Sequence, residues 1–338
     1  MSDEKNPPAQ PTPRPGTPRQ RDEPRRDAPR PEGAQPHEPR RDGPQRDEPR
    51  PDAPRRHGPH HDGPEPGQSA SARDTGVPGR AAEPGGAVYP DLAGKAAVVT
   101  GASRGIGAET ARALAAQGVA VCLVGRDRAA LFSVVDEIGR GGGTATGAVT
   151  DVTDARALAA LAHRVTDELG PVDVLAAFAG GRSAPLSALE MTEERWRRTL
   201  DTELTSAFLT VRTFLPGMVE RGSGVVLTLS SSAGRRPGTP DIAYGAAHAG
   251  LSMLTGQLAA EVGPYGVRVN CLAPSSIRTE KVRRDMPPEE QHRTALRHPL
   301  RRMGEPGDVA STALFLASDA ASWLTGLTVD VAGGRITG

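Results

Sequence analysis

Lysine is almost absent from this chain of 338 residues, occurring only as Lys5, Lys95 and Lys281. Its cationic charge is carried by arginine, and 41 basic residues balance 41 acidic ones. Cysteine is equally scarce. The two present, Cys122 and Cys271, sit inside apolar runs, where they read as small core side chains in a reducing cytoplasm rather than a disulfide or metal pair. Long apolar runs are missing too: none approaches the ~18–20 residues of a spanning helix. The start, MSDEKNPP, has no apolar stretch of the kind a secretory signal needs. The expectation is a cytoplasmic protein with no metal and no membrane partner.

Large apolar side chains are missing from residues 1–88, where most of the 32 prolines lie. Met1, Val77 and Val88 are nearly the whole apolar inventory there. Such a stretch cannot offset its conformational entropy by burial and reads as a disordered tail. Loose repeats such as RDEPR, RDAPR and HEPRRDGP alternate acids with bases. An arm for nucleic acid would be lopsided in charge, so no nucleic-acid partner is expected. Two roles stay open, a solvated tether and a partner-binding arm. His57, His60 and His61 have no framework that would fix a metal geometry.

From about residue 89 to 338 apolar runs alternate with amphipathic stretches. KAAVVTG, VAVCLVG, TATGAVTD, VDVLAAFAG, GVVLTLS, GVRVNCLAP and LTVDVAGG read as strands. Between them, helices are expected at Gly105–Gln117, Arg128–Gly139, Ala155–Leu169, Thr192–Val219, Tyr244–Val262 and Gly307–Ser318. This alternation, with continuously apolar strands, means one α/β domain of Rossmann type: a doubly wound parallel sheet covered on both faces. Ligands of such sheets bind beyond the carboxyl ends of the strands. Gly101, Arg126, Asp151, Gly180, Ser231 and Pro274 fall there, which points to one site on one edge.

TGASRGIG, Thr100 to Gly107, lies between the first strand and the first helix. Gly101 permits a tight turn, and Gly105 and Gly107 let a pyrophosphate approach the helix N-terminus. The second strand ends Gly125-Arg126-Asp127. Arg126 and Arg104 are positioned to clamp a 2′-phosphate, which favours NADP(H) over NAD(H). Two alternatives stay open: Asp127 turned to the ribose, and both arginines simply solvated. Asp151 is placed either to accept from an adenine amino group or to cap the next helix.

TGASRGIG, Ser231 in LSSSAG, Tyr244 thirteen residues later, NCLAP and the ending LTGLTVDVAGG together resemble the short-chain dehydrogenase/reductase family. The resemblance spans about residues 92–338. It implies a nicotinamide cofactor, a small carbonyl or alcohol substrate, and a homodimer or homotetramer. It also implies that Ser231 holds the substrate oxygen and Tyr244 passes it a proton. Cofactor contacts are implied at Ser103, Ile106, Val152, Ala179, Gly180, Tyr244 and His248. Pro274, Ile277 and Thr279 match the segment that touches the nicotinamide end.

The departures from the family pattern are concentrated. Where the family has a lysine four residues after the tyrosine, this chain has His248. The family's asparagine in the long fourth helix aligns with Glu203, and its Asn-Asn-Ala-Gly turn reads Ala177-Phe178-Ala179-Gly180. Ser275 replaces a glycine and Ala332 an acid. Residues four apart on a helix share a face, so His248 should stand over Tyr244. Free tyrosine has a pKa near 10 and needs a cationic neighbour to work at neutral pH. The expectation is that Glu203 keeps His248 protonated as a replacement ion pair. The alternative is a degenerate protein that binds NADP(H) and reduces nothing, with a regulatory or scaffold role. A further possibility is that His248 and Glu203 stand apart in an active site. Phe178 either narrows the pocket or packs beneath it.

Residues 275–303 are expected to cover the substrate. They carry Arg278, Arg283, Arg284, Arg293, Arg297, Arg301 and Arg302, and Arg182, Arg235 and Arg236 lie on loops that face the same cleft. This arginine content suits an anionic substrate or an acyl-carrier partner, or else a solvated helix balanced by its own acids.

Overall fold

The computed structural model describes residues 87–181, 184–238 and 240–336, all within one unit spanning Asp74–Gly338. The expected tail up to residue 86 lies outside them, as do Arg182 and Ser183.

Seven strands form one parallel sheet: β1 (Ala96–Thr100), β2 (Ala120–Gly125), β3 (Ala145–Val149), β4 (Val174–Ala177), β5 (Gly224–Leu229), β6 (Val267–Pro274) and β7 (Thr328–Val331). Their order is β3-β2-β1-β4-β5-β6-β7. The strands are apolar on both faces because both faces are covered. Alternate residues serve opposite layers: Val98 packs with Val124, Leu158 and Met218, and Val99 with Ala108, Leu114 and Leu131. Complete burial of Leu114, Leu123, Leu158 and Leu175 contributes about 1.5–3 kcal/mol for each side chain.

One face carries α1 (Gly105–Ala116), α2 (Arg128–Arg140) and, near the C-terminus, the helix Pro306–Ala317. The other carries α3 (Ala155–Leu169), a helical run through residues 193–221, and the helix Ile242–Val262. Most boundaries agree with the sequence reading to within a residue or two. Asp127 and Asp154 cap α2 and α3, accepting from N–H groups of their first turns. Cys122 and Cys271 are free and buried in β2 and β6, as the sequence implied.

The helix expected over Thr192–Val219 is not uniform. It divides into α4 (Glu193–Leu200), a π-turn at Asp201–Thr205, and α5 (Ser206–Arg221). At the π-turn the Ser206 N–H bonds back to the Asp201 carbonyl, one residue further than in an α-helix. The wider turn points Glu203 into the protein.

The next helix, α6 (Ile242–Val262), begins at Asp241, whose carboxylate accepts from the Tyr244 N–H at 2.9 Å. Beyond β6 the covering segment folds as two short helices, α7 (Glu280–Asp285) and α8 (Pro288–Leu296); α9 is Pro306–Ala317. The chain reverses direction across the sheet between β1 and β4, and the crevice at that reversal is where a dinucleotide binds in such sheets.

Candidate active site

The glycine-rich turn between β1 and α1 has no room for side chains. Gly101 and Gly105 have φ of 68° and 60°. A Cβ on Gly101 would stand 2.6 Å from the Phe178 carbonyl oxygen, and one on Gly107 2.4 Å from that of Gly101. The result is a smooth backbone cradle opening on the N-terminus of α1, where the Arg104 side chain makes no cap. It fits a pyrophosphate. A cleft of about 310 Å³ continues from it, lined by Gly101, Ser103, Arg104, Arg126, Asp151 and Gly180, among others. Val152 and Ala179 line it as well, whereas Ile106 packs against the core.

Asp127 is fully engaged: it caps α2 and pairs with Arg104. Arg126 reaches over the cleft, 3.9 Å from Asp151. Asp151 does not cap α3, since Asp154 does. It accepts instead from the Thr153 backbone and hydroxyl, and those hydrogen bonds hold its carboxyl below the usual range.

Ser231 follows β5, and its Oγ accepts from the Ala233 N–H at 3.2 Å. This turn is pressed onto α6: a Cβ on Gly234 would lie 2.5 Å from the His248 carbonyl carbon. The Ser230 hydroxyl ties the same carbonyl at 2.8 Å. Ser231 is therefore held at a fixed distance from the helix that carries Tyr244. The rings of Tyr244 and His248 lie with centroids 4.1 Å apart, tilted by 58°.

Glu203 completes the row. Its Oε2 is 3.6 Å from His248 Nε2, and its Oε1 accepts from the Gly181 N–H at 2.7 Å. Glycine at 180 leaves room for the carboxyl in this position, since a Cβ there would be 2.6 Å from Oε2. Both side chains are buried. Burial pushes the Glu203 carboxyl up to about 7, with Asp241 adding to the shift and the Gly181 hydrogen bond opposing it. Burial also pushes the His248 imidazole down to about 4. The sequence placed these residues side by side, and they are. The charge expected of them is not what the environment favours: desolvation drives both toward their neutral forms. Neither His248 nitrogen has a hydrogen-bond partner among the described residues.

Two residues escaped sequence reasoning. Asp241, deeply buried, holds the start of α6 and pairs with Arg195 of α4 at 3.1 Å. The helix-capping position of Asp241, three residues before Tyr244, was a readable signal; Arg195 offered none. Phe178 packs into the core beneath the site.

The covering segment lies across the cradle. Ile277 is buried, and Thr279 caps α7 with its methyl against Gly105. Glu280 accepts from the Gly105 N–H at 3.2 Å. Most of the segment's arginines are paired with acids: Arg278 and Arg283 share Glu305, Arg284 shares Asp285 with Lys281, and Arg302 meets Asp308.

Residues 101–335 match the family model described as Enoyl-(Acyl carrier protein) reductase. The chain is 36% identical over 245 residues to 7alpha-hydroxysteroid dehydrogenase of Escherichia coli, covering 72% of this chain and 95% of that one. It belongs to the short-chain dehydrogenase/reductase family. Galactitol 2-dehydrogenase (L-tagatose-forming) of Cereibacter sphaeroides is 39% identical over 246 residues, 72% of this chain and 95% of its own. Among solved structures, 7 alpha-hydroxysteroid dehydrogenase complexed with NADH and 7-oxo glycochenodeoxycholic acid superposes with a TM-score of 0.69 at 36% identity, over 74% of this chain and 97% of that one. A putative NAD(P) dependent gluconate 5-dehydrogenase from Beutenbergia cavernae with bound NADP gives 0.68 at 36% identity, over 72% and 98%. Family membership places the chain among oxidoreductases that interconvert alcohols and carbonyls. Within that family the nicotinamide nucleotide supplies or accepts the hydride, and the glycine cradle fits its pyrophosphate.

Proposed function

We propose that this chain is an NADP(H)-dependent reductase of a small carbonyl compound, or the reverse alcohol dehydrogenase. In this reading Ser231 orients the oxygen and Tyr244 is the general acid/base. The observation that carries it is the clamp of the Ser231 turn on α6, which sets Ser231 against the helix bearing Tyr244. The row Tyr244–His248–Glu203 then handles protons. A neutral imidazole both donates and accepts, so His248 links the phenol to the Glu203 carboxyl, 3.6 Å from Nε2, once bound water or a ribose hydroxyl completes the hydrogen bonds its nitrogens lack. A ribose hydroxyl would give the unpartnered imidazole a hydrogen bond. Pro274, Ile277 and Thr279 close over the nicotinamide end. The preference for NADP(H) rests on Arg126 and Arg104; Asp127 also lines the cleft, where its carboxylate is engaged by the α2 cap and by Arg104. Assembly as a homodimer or homotetramer in the cytoplasm belongs to the same proposal, supported by Phe208 and Met253 exposed on α5 and α6.

A second reading rests on His248. Buried and favoured as neutral, it does not replace a lysine's charge, which suits a protein that binds NADP(H) without turning it over. Titrating NADPH and NADH by fluorescence, then offering a carbonyl panel, separates the two. The enzyme reading expects tighter NADPH than NADH, turnover, and loss of turnover but not of binding in Tyr244→Phe. Binding without turnover selects the second reading, and binding of neither nucleotide defeats both.

A further inference from the structure

Along the carboxyl edge of the sheet the cofactor cradle lies at β1 and β2, and Ser231 follows β5. Above β6 and β7 is a second cavity of about 410 Å³, and Arg235, four residues after Ser231, reaches its Asp330 at 3.1 Å. Two of the family departures meet there: Ser275 in place of a glycine and Ala332 in place of an acid. His298, buried beside them, supplies the link. Its Nδ1 lies 2.9 Å from the Thr294 carbonyl oxygen, which makes Nδ1 the protonated nitrogen and Nε2 an acceptor. The Ser275 hydroxyl then donates to Nε2 at 3.1 Å and is free to accept from Arg335 Nη1 at 3.5 Å. Ser276 Oγ accepts from the same nitrogen at 3.4 Å. These contacts are long and leave most of the guanidinium's five donors unused.

The charge around this cavity is one-sided. Its two acids are already neutralised, Asp330 by Arg235 at 3.1 Å and Asp308 by Arg302. Among the described residues Arg236, Arg297 and Arg335 form no ion pair. Burial lowers the Arg335 pKa, and repulsion from Arg236 and Arg297 lowers it further. Three cations therefore stand near enough to oppose one another, and none of them is paired with an acid among the described residues.

We infer that this cluster binds an oxyanion on the substrate, a carboxylate or a phosphate monoester, with Arg335 as its anchor and Arg236 and Arg297 at its rim. The inference rests on the oxidoreductase reading and names its substrate class. A substrate whose carbonyl sits at Ser231 and Tyr244 extends its anionic end toward β6 and β7, away from the cofactor phosphates. The chain Thr294–His298–Ser275 holds the anchor in place. Ala332 matters by what it omits, since a carboxylate there would neutralise the cluster.

The test uses the full-length protein with matched carbonyls: acetoacetate against methyl acetoacetate, and dihydroxyacetone phosphate against dihydroxyacetone. The anionic member of at least one pair is expected to have the higher kcat/KM, and which pair does so tells carboxylate from phosphate. Arg335→Gln should cut that advantage about tenfold or more, through KM, without altering NADPH affinity. Arg236→Gln, more exposed, should give a smaller loss and serves if the first variant fails to fold. No preference for anions, or an equal loss for charged and neutral members, overturns the inference while the oxidoreductase reading stands. If no carbonyl is turned over, inorganic phosphate decides the anion site by itself. At matched ionic strength it should raise the Tm of the parent protein above that in chloride, and Arg335→Gln should abolish the rise; equal shifts in both proteins overturn the site.

Discussion

Glu203 and His248 show how burial sets the character of a site. Taken apart, a glutamate and a histidine at neutral pH are an anion and a mostly neutral base. Side by side in water they would attract. Enclosed, each loses its hydration, and the uncharged forms prevail. The consequence for stability has a definite sign. Glu203 titrates at about 7 in the folded chain against an ordinary 4.5. Its contribution is full below 4.5 and is lost as pH rises toward about 7. His248 runs the other way: its contribution is full above 6.5 and is lost as pH falls toward about 4. Glu203→Gln keeps the acceptor for the Gly181 N–H and removes the first dependence. Its Tm advantage over the parent protein should therefore grow between about pH 5 and about pH 8, by the equivalent of roughly 2–3 kcal/mol. Melting curves across that range check it, and a pH-independent difference would place the carboxyl in contact with water. In the reductive direction, turnover should decline as pH rises through about 7, when the pair gives up its proton.

At the scale of elements, the site depends on two close approaches. The Ser231 turn touches the α6 backbone at Gly234, where a methyl group would meet the His248 carbonyl carbon. Gly234→Ala should push Ser231 away from Tyr244 and lower kcat by about tenfold or more, with NADPH affinity held. Affinity and kcat falling together would show that the turn also shapes the cofactor cleft. The second approach is the covering segment on α1. Glu280 takes the Gly105 N–H that a pyrophosphate would otherwise use. Removing its charge in Glu280→Gln should tighten NADPH about two- to fivefold, in line with the worth of an anion at a helix N-terminus; calorimetry reads this directly. The sequence made the glycine turn and the strand ends legible because they obey local rules of backbone conformation and burial. The π-turn was not legible. The run through Leu200 to Ala207 is written with residues a plain α-helix accepts, and the widened turn appears only when Glu203 is drawn inward beneath Gly180.

On the scale of the whole molecule, the described sheet and helices enclose apolar layers on both faces of the sheet. Tyr89 already anchors to Gln117 through its N–H, at 2.8 Å, and Leu92 is fully buried. Deleting residues 1–86 should leave Tm and NADPH affinity unchanged, a result expected of a tether. A lower Tm would mean that the stretch packs on the domain.

By itself the sequence determined the parallel sheet, the glycine cradle at its edge and the family to which the chain belongs. These follow from periodicity, from glycines at positions no side chain can occupy, and from an ordered set of motifs. It also named the residues that depart from the family pattern. What those departures do was decided by the tertiary structure. Burial pushes Glu203 and His248 toward their neutral forms, and His298, Ser275 and Arg335 meet only when the segments after β6 and α8 and the end of the chain come together. Desolvation and charge balance are properties of neighbours in space, and residues from 203 to 335 become neighbours only through the fold.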